Sequence, residues 1–457
     1  MADIAGLEYT KLLLAADGSL APGATADYPA GVTDVIVISH GWHVDPDDAD
    51  GIYHKLIGNL VAEAGRQWAG AGRKFGVVGI FWPSDKFRDD LSAEGFVPAP
   101  SGTGTGAAAA FGDAKETALL AQAKDLAAFL QIGDADEFLA EVKRAAKGNG
   151  KNGDAEVLVK RLQKEVRKRR GGRSANLARI RKETEREHAE LLDPARRRRI
   201  IADLAAQGTP GAINNLKAGG AAAAFKKTGR GAALGVLSGI RAGVARLLNQ
   251  FAYFEMKKRA GVVGTEVGRR LVAAAELDGV CIHLVGHSFG ARLVTAAALT
   301  MGRRHPSSLT LLQGAFSHNG FGTGIVHDGE TIDGAFRKVV AGKLVDGPIA
   351  VTHTWNDTAV GLAYAAASRV SGTVASSIGV TRWFGGPDDI FGGLGANGAL
   401  RLATGEGSSS TFDGKSVPAL RDCHVNNLLC DFIVDHNDVT RPEVARILKA
   451  SLALQGS

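Results

Sequence analysis

Ser288 is the residue of this chain whose neighbours are arranged for chemistry. It is the centre of Gly286-His287-Ser288-Phe289-Gly290, after the apolar run Val280-Cys281-Ile282-His283-Leu284-Val285. The run 291–299 that follows reads as a helix. A serine between two glycines, where a strand turns into a helix, is a nucleophile elbow. The turn is too tight for a side chain at either flank. The helix that starts there aims backbone N–H groups and its positive end at the reacting oxygen. In a chain with 60 glycines the spacing alone would say little; the strand before it and the helix after it give it meaning. The bland alternative is a glycine-rich turn that holds a serine.

A serine hydroxyl is a poor nucleophile near neutral pH, so it needs a base, and the base needs an orienting acid. In the chain order serine, acid, histidine, both partners follow Ser288 at strand ends. Asp357 fits the acid, in the loop Trp355-Asn356-Asp357 after the apolar run 348–354. The same position also suits the N-cap of a helix starting near residue 359. His436 fits the base, in Asp435-His436-Asn437-Asp438 beyond the last predicted strand. His424 precedes that strand and so falls at the opposite end of a parallel sheet; His353 and His318 sit near earlier strand ends.

Charge developing on a carbonyl oxygen needs two N–H donors, and losing one typically costs about 2.7–4 kcal/mol of transition-state stabilisation. Phe289 N–H supplies one. His40-Gly41-Trp42 follows an earlier strand, with Trp42 N–H as the second donor and Gly41 letting the backbone come close. His40, His43, Asp45 and His54 match no common metal-ligand spacing. No fourth ligand joins Cys423, His424 and Cys430. Neither a metal nor a cofactor is expected.

These groups need a sheet to hold them. Val32–Ser39 and Phe75–Phe81 read as buried parallel strands, joined by an amphipathic helix over 52–69 with Ile52, Leu56, Leu60 and Ala64 on one face. Residues 9–14 read as an edge strand ahead of them. Later come a helix over 251–277, strands at 280–285, 309–315, 348–354 and 427–434, and a closing helix over 443–453. Residues 385–407 read as glycine-rich loops, and Cys281 as a packing residue inside a buried strand. The expected class is α/β, a mostly parallel sheet flanked by helices. Its core comprises 1–85 and 251–457, interrupted by a helical insertion over 86–250.

The net charge of +6 hides an asymmetry. Residues 141–260 carry 29 Lys and Arg against 11 Asp and Glu, while the remainder carries 25 against 37. The basic part of the insertion offers a contact for an anionic membrane, or docks on the acidic remainder. Few aromatics interleave its charges and no nucleic-acid motif appears, which argues against nucleic acid. Within it, Gly231, Gly235, Gly239 and Gly243 recur every four residues, a stripe that permits close helix packing. Residues 96–110 read as a low-complexity connection. Three cysteines exclude a disulfide scaffold. With no signal-peptide pattern and no apolar run of membrane-spanning length, a cytoplasmic location is expected.

Several stretches together resemble the bacterial serine hydrolases of the α/β-hydrolase superfamily. They are Ser39-His40-Gly41-Trp42, Phe81-Trp82-Pro83-Ser84, Met256-Lys257-Lys258-Arg259-Ala260-Gly261-Val262-Val263-Gly264, His283-Leu284-Val285-Gly286-His287-Ser288-Phe289-Gly290 and Thr352-His353-Thr354-Trp355-Asn356-Asp357. His436-Asn437-Asp438 stands where that family's histidine is expected. The resemblance covers about 1–85 and 250–457. The leading expectation is a serine hydrolase acting on small-molecule or lipid carboxylic esters; the resemblance itself implies an α/β-hydrolase fold, a Ser288–His436–Asp357 triad and a cofactor-free acyl-enzyme mechanism. It does not name the substrate. The competing expectation is a surface-binding protein that uses its basic insertion, with hydrolysis secondary or lost.

Overall fold

Val35 and Val37 face one side of the central sheet and Ile36 and Ile38 the other, and each pair is buried in its own apolar cluster. That alternation is the pleat of a strand covered on both faces. In the computed structural model the described residues are 2–42, 44–65, 72–84, 132–147, 255–327, 330–357 and 392–453. Scattered positions are also described at 119–128, 157–162, 248, 360 and 387. The low-complexity run 96–110 and residues 163–192 of the basic insertion lie outside them. So does the glycine stripe at Gly231, Gly235, Gly239 and Gly243.

The strands are β1 (Ala2–Ile4), β2 (Leu7–Leu13), β3 (Asp34–Ser39), β4 (Phe75–Phe81), β5 (Cys281–His287), β6 (Ser308–Leu312), β7 (Ile325–His327), β8 (Glu330–Ile332), β9 (Ile349–His353), β10 (Gly407–Thr411) and β11 (Val425–Leu429). Nine of them form one sheet in the order β1-β2-β4-β3-β5-β6-β9-β11-β10. Only β1 runs against its neighbour; every other pairing is parallel. β7 and β8 make a separate hairpin.

Helices cover both faces. The helix α1 (Pro46–Ala64) is capped by Asp45, whose side chain accepts the Asp48 N–H, and starts at Pro46. It packs Tyr53, Leu56, Ile57 and Leu60 into one face of the sheet beside Val444, Ile447 and Leu448 of the closing helix 442–451. The opposite face receives Val263, Val267 and Leu271 of the helix 255–273 and much of the helix that follows Ser288, Phe289–Thr300. Leu119, Ala123, Leu126, Phe138, Val142, Leu158 and Leu162 join this second core, so the described part of the insertion packs on the sheet. The class is therefore α/β, with a mostly parallel sheet between helices.

Several boundaries differ from the sequence reading. The strand expected at 9–14 is β2, and β1 displaces it from the edge; Ala2–Ile4 is too short to register as a strand by pattern. The first helix starts at Pro46, six residues early, because its first turn is acidic and polar. The last predicted strand, 427–434, is Val425–Leu429, so Cys430 to Val434 belong to the following loop. The strand at 309–315 ends at Leu312. Inside the glycine-rich stretch, Leu394–Asn397 forms a helical turn. Gly407–Thr411 pairs with β11 as an exposed edge strand. Cys281 stands exposed at the first position of β5, where burial has not yet begun. Among the described residues no helix is long and apolar enough to cross a membrane.

Candidate active site

Parallel pairing brings the carboxyl ends of β3, β5, β6, β9 and β11 to one end of the sheet, through the register Ser39–Gly286–Leu311–Val351–Asn427. The loops that leave there carry His40, Ser288, Gln313, Asp357 and His436. Ligand sites in open α/β sheets gather at this end.

Ser288 sits at the turn from β5 into the helix Phe289–Thr300, with φ 58° and ψ −122°. A non-glycine residue held there costs of order 1–3 kcal/mol, and the surroundings hold it. Ser288 N–H donates to Leu312 O at 3.0 Å, and Ser288 O accepts Ala315 N–H at 3.0 Å. The two glycines answer to close contacts. A Cβ on Gly286 would lie 2.3 Å from Gly290 O, and one on Gly290 2.3 Å from Ser39 O. The helix thus presses its first turn onto the end of β3, which a side chain at either position would prevent.

The structure brings the three expected residues together. Ser288 Oγ–H donates to His436 Nε2 at 2.8 Å, and His436 Nδ1–H donates to Asp357 Oδ2 at 2.8 Å. Asp357 Oδ1 meanwhile accepts Val360 N–H at 2.9 Å. Its two oxygens therefore serve different donors, Oδ2 the imidazole and Oδ1 the Val360 N–H. Burial pushes the Asp357 carboxyl up, but His436, the Val360 N–H and Gln313 outweigh it and hold the group below its ordinary range. Burial pushes His436 down, but Asp357 and then Asp435 reverse this, and its imidazole is more basic than usual. A hydroxyl hydrogen-bonded to a carboxylate-backed imidazole is an activated nucleophile.

The neighbouring histidines do other work. His287 Nε2–H donates to the His436 carbonyl at 2.8 Å, and the two rings lie 4.9 Å apart. Burial and the adjacent His436 push His287 down to about 3, so it is neutral at working pH. His40 is buried and pushed down to about 4 by desolvation. Its N–H donates to the Tyr53 hydroxyl, its ring stacks on Trp82, and Trp82 Nε1–H donates to its carbonyl. The loop at Gly41 is thereby pinned against Ser288. A Cβ on Gly41 would lie 2.6 Å from Ser288 Cβ and 3.1 Å from Oγ. Trp42 follows with its ring edge-on to Phe289 at 5.9 Å. A cavity of about 330 Å³ is lined mainly by Leu13, Leu14, Val44, Phe81 and Trp82, with His40 in its wall.

The rejected histidines fall elsewhere. His424 lies at the amino end of β11 and bonds Gly405 O. His353 and His318 are buried near the site end, but neither is placed on Ser288. His43 lies outside the described residues. Among the described residues no group of three or more His, Cys, Asp or Glu is placed to hold a metal ion.

The sequence reading missed Gln313. It follows β6 and is fully buried at φ 46°. Its Nε2–H groups donate to Asp357 Oδ2 and to Gly395 O, both at 3.1 Å. A lone glutamine after an apolar run carries no sequence signal for this role.

A second arrangement of the same residue types lies at the other end of the sheet. Ser308 Oγ is 2.8 Å from His283 Nδ1, and His283 Nε2 is 3.1 Å from Asp34 Oδ1. Here Arg73 pairs with Asp34 and also donates to Leu452 O. All three residues are buried, and Ser308 is an ordinary strand residue.

Comparison with protein-family models, with curated proteins and with solved structures finds no match for the chain.

Proposed function

We propose that the protein is a serine hydrolase of the α/β-hydrolase kind that cleaves carboxylic esters. The carrying observation is the continuous relay Ser288 Oγ–His436 Nε2 and His436 Nδ1–Asp357 Oδ2, 2.8 Å at each step, on a serine held at positive φ. His436 takes the Ser288 proton as Oγ attacks the ester carbonyl. The C–O double bond opens to an oxyanion at the first turn of the helix after Ser288, where the Phe289 and Trp42 backbone N–H groups stabilise it. The intermediate collapses, the ester C–O bond breaks, and His436 gives its proton to the leaving alcohol. Water then enters, His436 takes one of its protons, and the acyl group leaves as the acid while Ser288 regains its hydrogen. Asp357 stays ionised throughout and stabilises the imidazolium.

A fluorophosphonate probe tests this on the full chain, with p-nitrophenyl esters of increasing acyl length alongside. Wild type should be labelled and turn over esters, and Ser288→Ala and His436→Ala should do neither. Ester hydrolysis retained in Ser288→Ala would overturn the proposal.

A further inference from the structure

Gln313 spends its whole amide on the site. Its two Nε2 hydrogens meet Asp357 Oδ2 and Gly395 O, and its Oε1 accepts the Thr352 hydroxyl at 2.9 Å. The Thr352 oxygen in turn accepts the Gln313 backbone N–H at 3.1 Å, closing a ring between β6 and β9. The amide has one workable orientation. Flipped, its oxygen would face a carboxylate and a carbonyl, both acceptors. The residue is fully buried and its backbone stands at φ 46°. A buried amide and a left-handed glutamine are both costly, and an apolar side chain in a relaxed turn would satisfy packing alone.

Asp357 Oδ2 therefore receives two donors, His436 Nδ1–H and Gln313 Nε2–H, while Oδ1 takes the Val360 N–H. Three donors on three sides fix the plane of the carboxylate. The second donor on Oδ2 also stabilises the carboxylate charge, so less of it is left to favour a protonated His436. We propose that Gln313 is a positioning residue that shares Asp357 Oδ2 with His436, fixing the carboxylate and restraining the basicity of the imidazole. Charged and titratable groups facing His436 are Asp357 from the loop after β9, Asp435 on its own loop, and His287 and Ser288 at the elbow. Of the donors to Oδ2, Gln313 is the one that can be removed without touching the imidazole.

The test is an NMR titration of His436, assigned with His436→Gln, in wild type, Gln313→Met and Gln313→Asn. Met keeps the bulk and removes both donors. Asn suits the positive φ better but is too short to reach Asp357, so it serves if Met weakens the fold. In both variants the His436 midpoint should move up. kcat for a p-nitrophenyl ester should fall about tenfold or more with KM within about twofold. A folded variant whose His436 midpoint stays put or falls overturns the proposal, because a purely structural glutamine would leave it unmoved. The kinetic consequence rests on the serine-hydrolase reading, whereas the titration needs no substrate. If wild-type Ser288 takes no fluorophosphonate, that reading fails while the midpoint still decides the role of Gln313.

Discussion

The imidazole of His287 donates its Nε2–H to the main-chain carbonyl of His436, so the residue before Ser288 grips the backbone of His436. The serine and the histidine that must meet are thereby tied twice, once through Oγ and once through this bond. A neutral His287 carries one ring proton, and the bond to the carbonyl assigns it to Nε2. Its Nδ1 is buried with no protein partner, an arrangement that costs of order 1–3 kcal/mol and is kept.

Removing that grip should therefore harm turnover more than binding. His287→Phe keeps a ring beside His436 and deletes the donor. We expect kcat to fall about tenfold to a hundredfold with KM within about twofold, by steady-state ester hydrolysis. A change confined to KM would contradict this.

The pH dependence follows from the direction of the His436 shift. Its imidazole must be neutral to accept the Ser288 proton. Its pKa lies above the ordinary 6.5, because Asp357 and Asp435 outweigh burial. The profile of kcat/KM should accordingly lose activity as pH falls through a midpoint above 6.5. Asp357→Asn should bring that midpoint down and cut the rate by up to about 10⁴-fold. Measurement from pH 5 to 9 on both proteins checks the sign.

Gly41 makes a second close approach to Ser288. Gly41→Ala would place a methyl 2.6 Å from Ser288 Cβ, so either the loop or the serine must shift. Overpacking of this kind typically costs about 1–3 kcal/mol. Fluorophosphonate labelling should slow by at least about tenfold, an effect of displaced reacting atoms. Urea unfolding of the same protein measures the stability cost separately.

Acid stability should depend on Asp34. Burial pushes its carboxyl up, but His283, Arg73 and Thr33 outweigh this and hold it far below the ordinary 3.8. The group thus contributes stability that is full above its unfolded value and is lost as pH falls through its folded one. Asp34→Asn should cost about 1–3 kcal/mol at neutral pH, because it weakens the acceptor shared by His283 and the partly exposed Arg73. It should also flatten the acid limb of the stability curve, measured by urea unfolding between pH 3 and 7.

The elbow was legible because its requirements are local and steric: two glycines, a buried strand before and a helix after. Asp357 and His436 were legible because strand ends in a parallel sheet converge, so chain order narrows the candidates. Gln313 was not, since its role exists only when β6 and β9 stand side by side; nothing in residues 308–315 separates it from any loop glutamine. β10 was hidden because Gly407-Ser408-Ser409-Ser410-Thr411 has almost none of the β-branched and aromatic residues that mark strands; its partner β11 alone makes it one. Cys281 was placed by composition, although the first residue of a strand belongs as much to the loop before it.

The Ser308–His283–Asp34 arrangement has a practical consequence for anyone searching structures for catalytic sites. Among the described residues, a template built on donor–acceptor distances would return both Ser288 and Ser308, at opposite poles of one sheet. Ser308 would be a false positive. It is buried, held in ordinary extended backbone, and its aspartate is engaged by an arginine. A detector that also demanded a positive backbone φ at the serine and a helix starting at the next residue would keep Ser288 alone of the two.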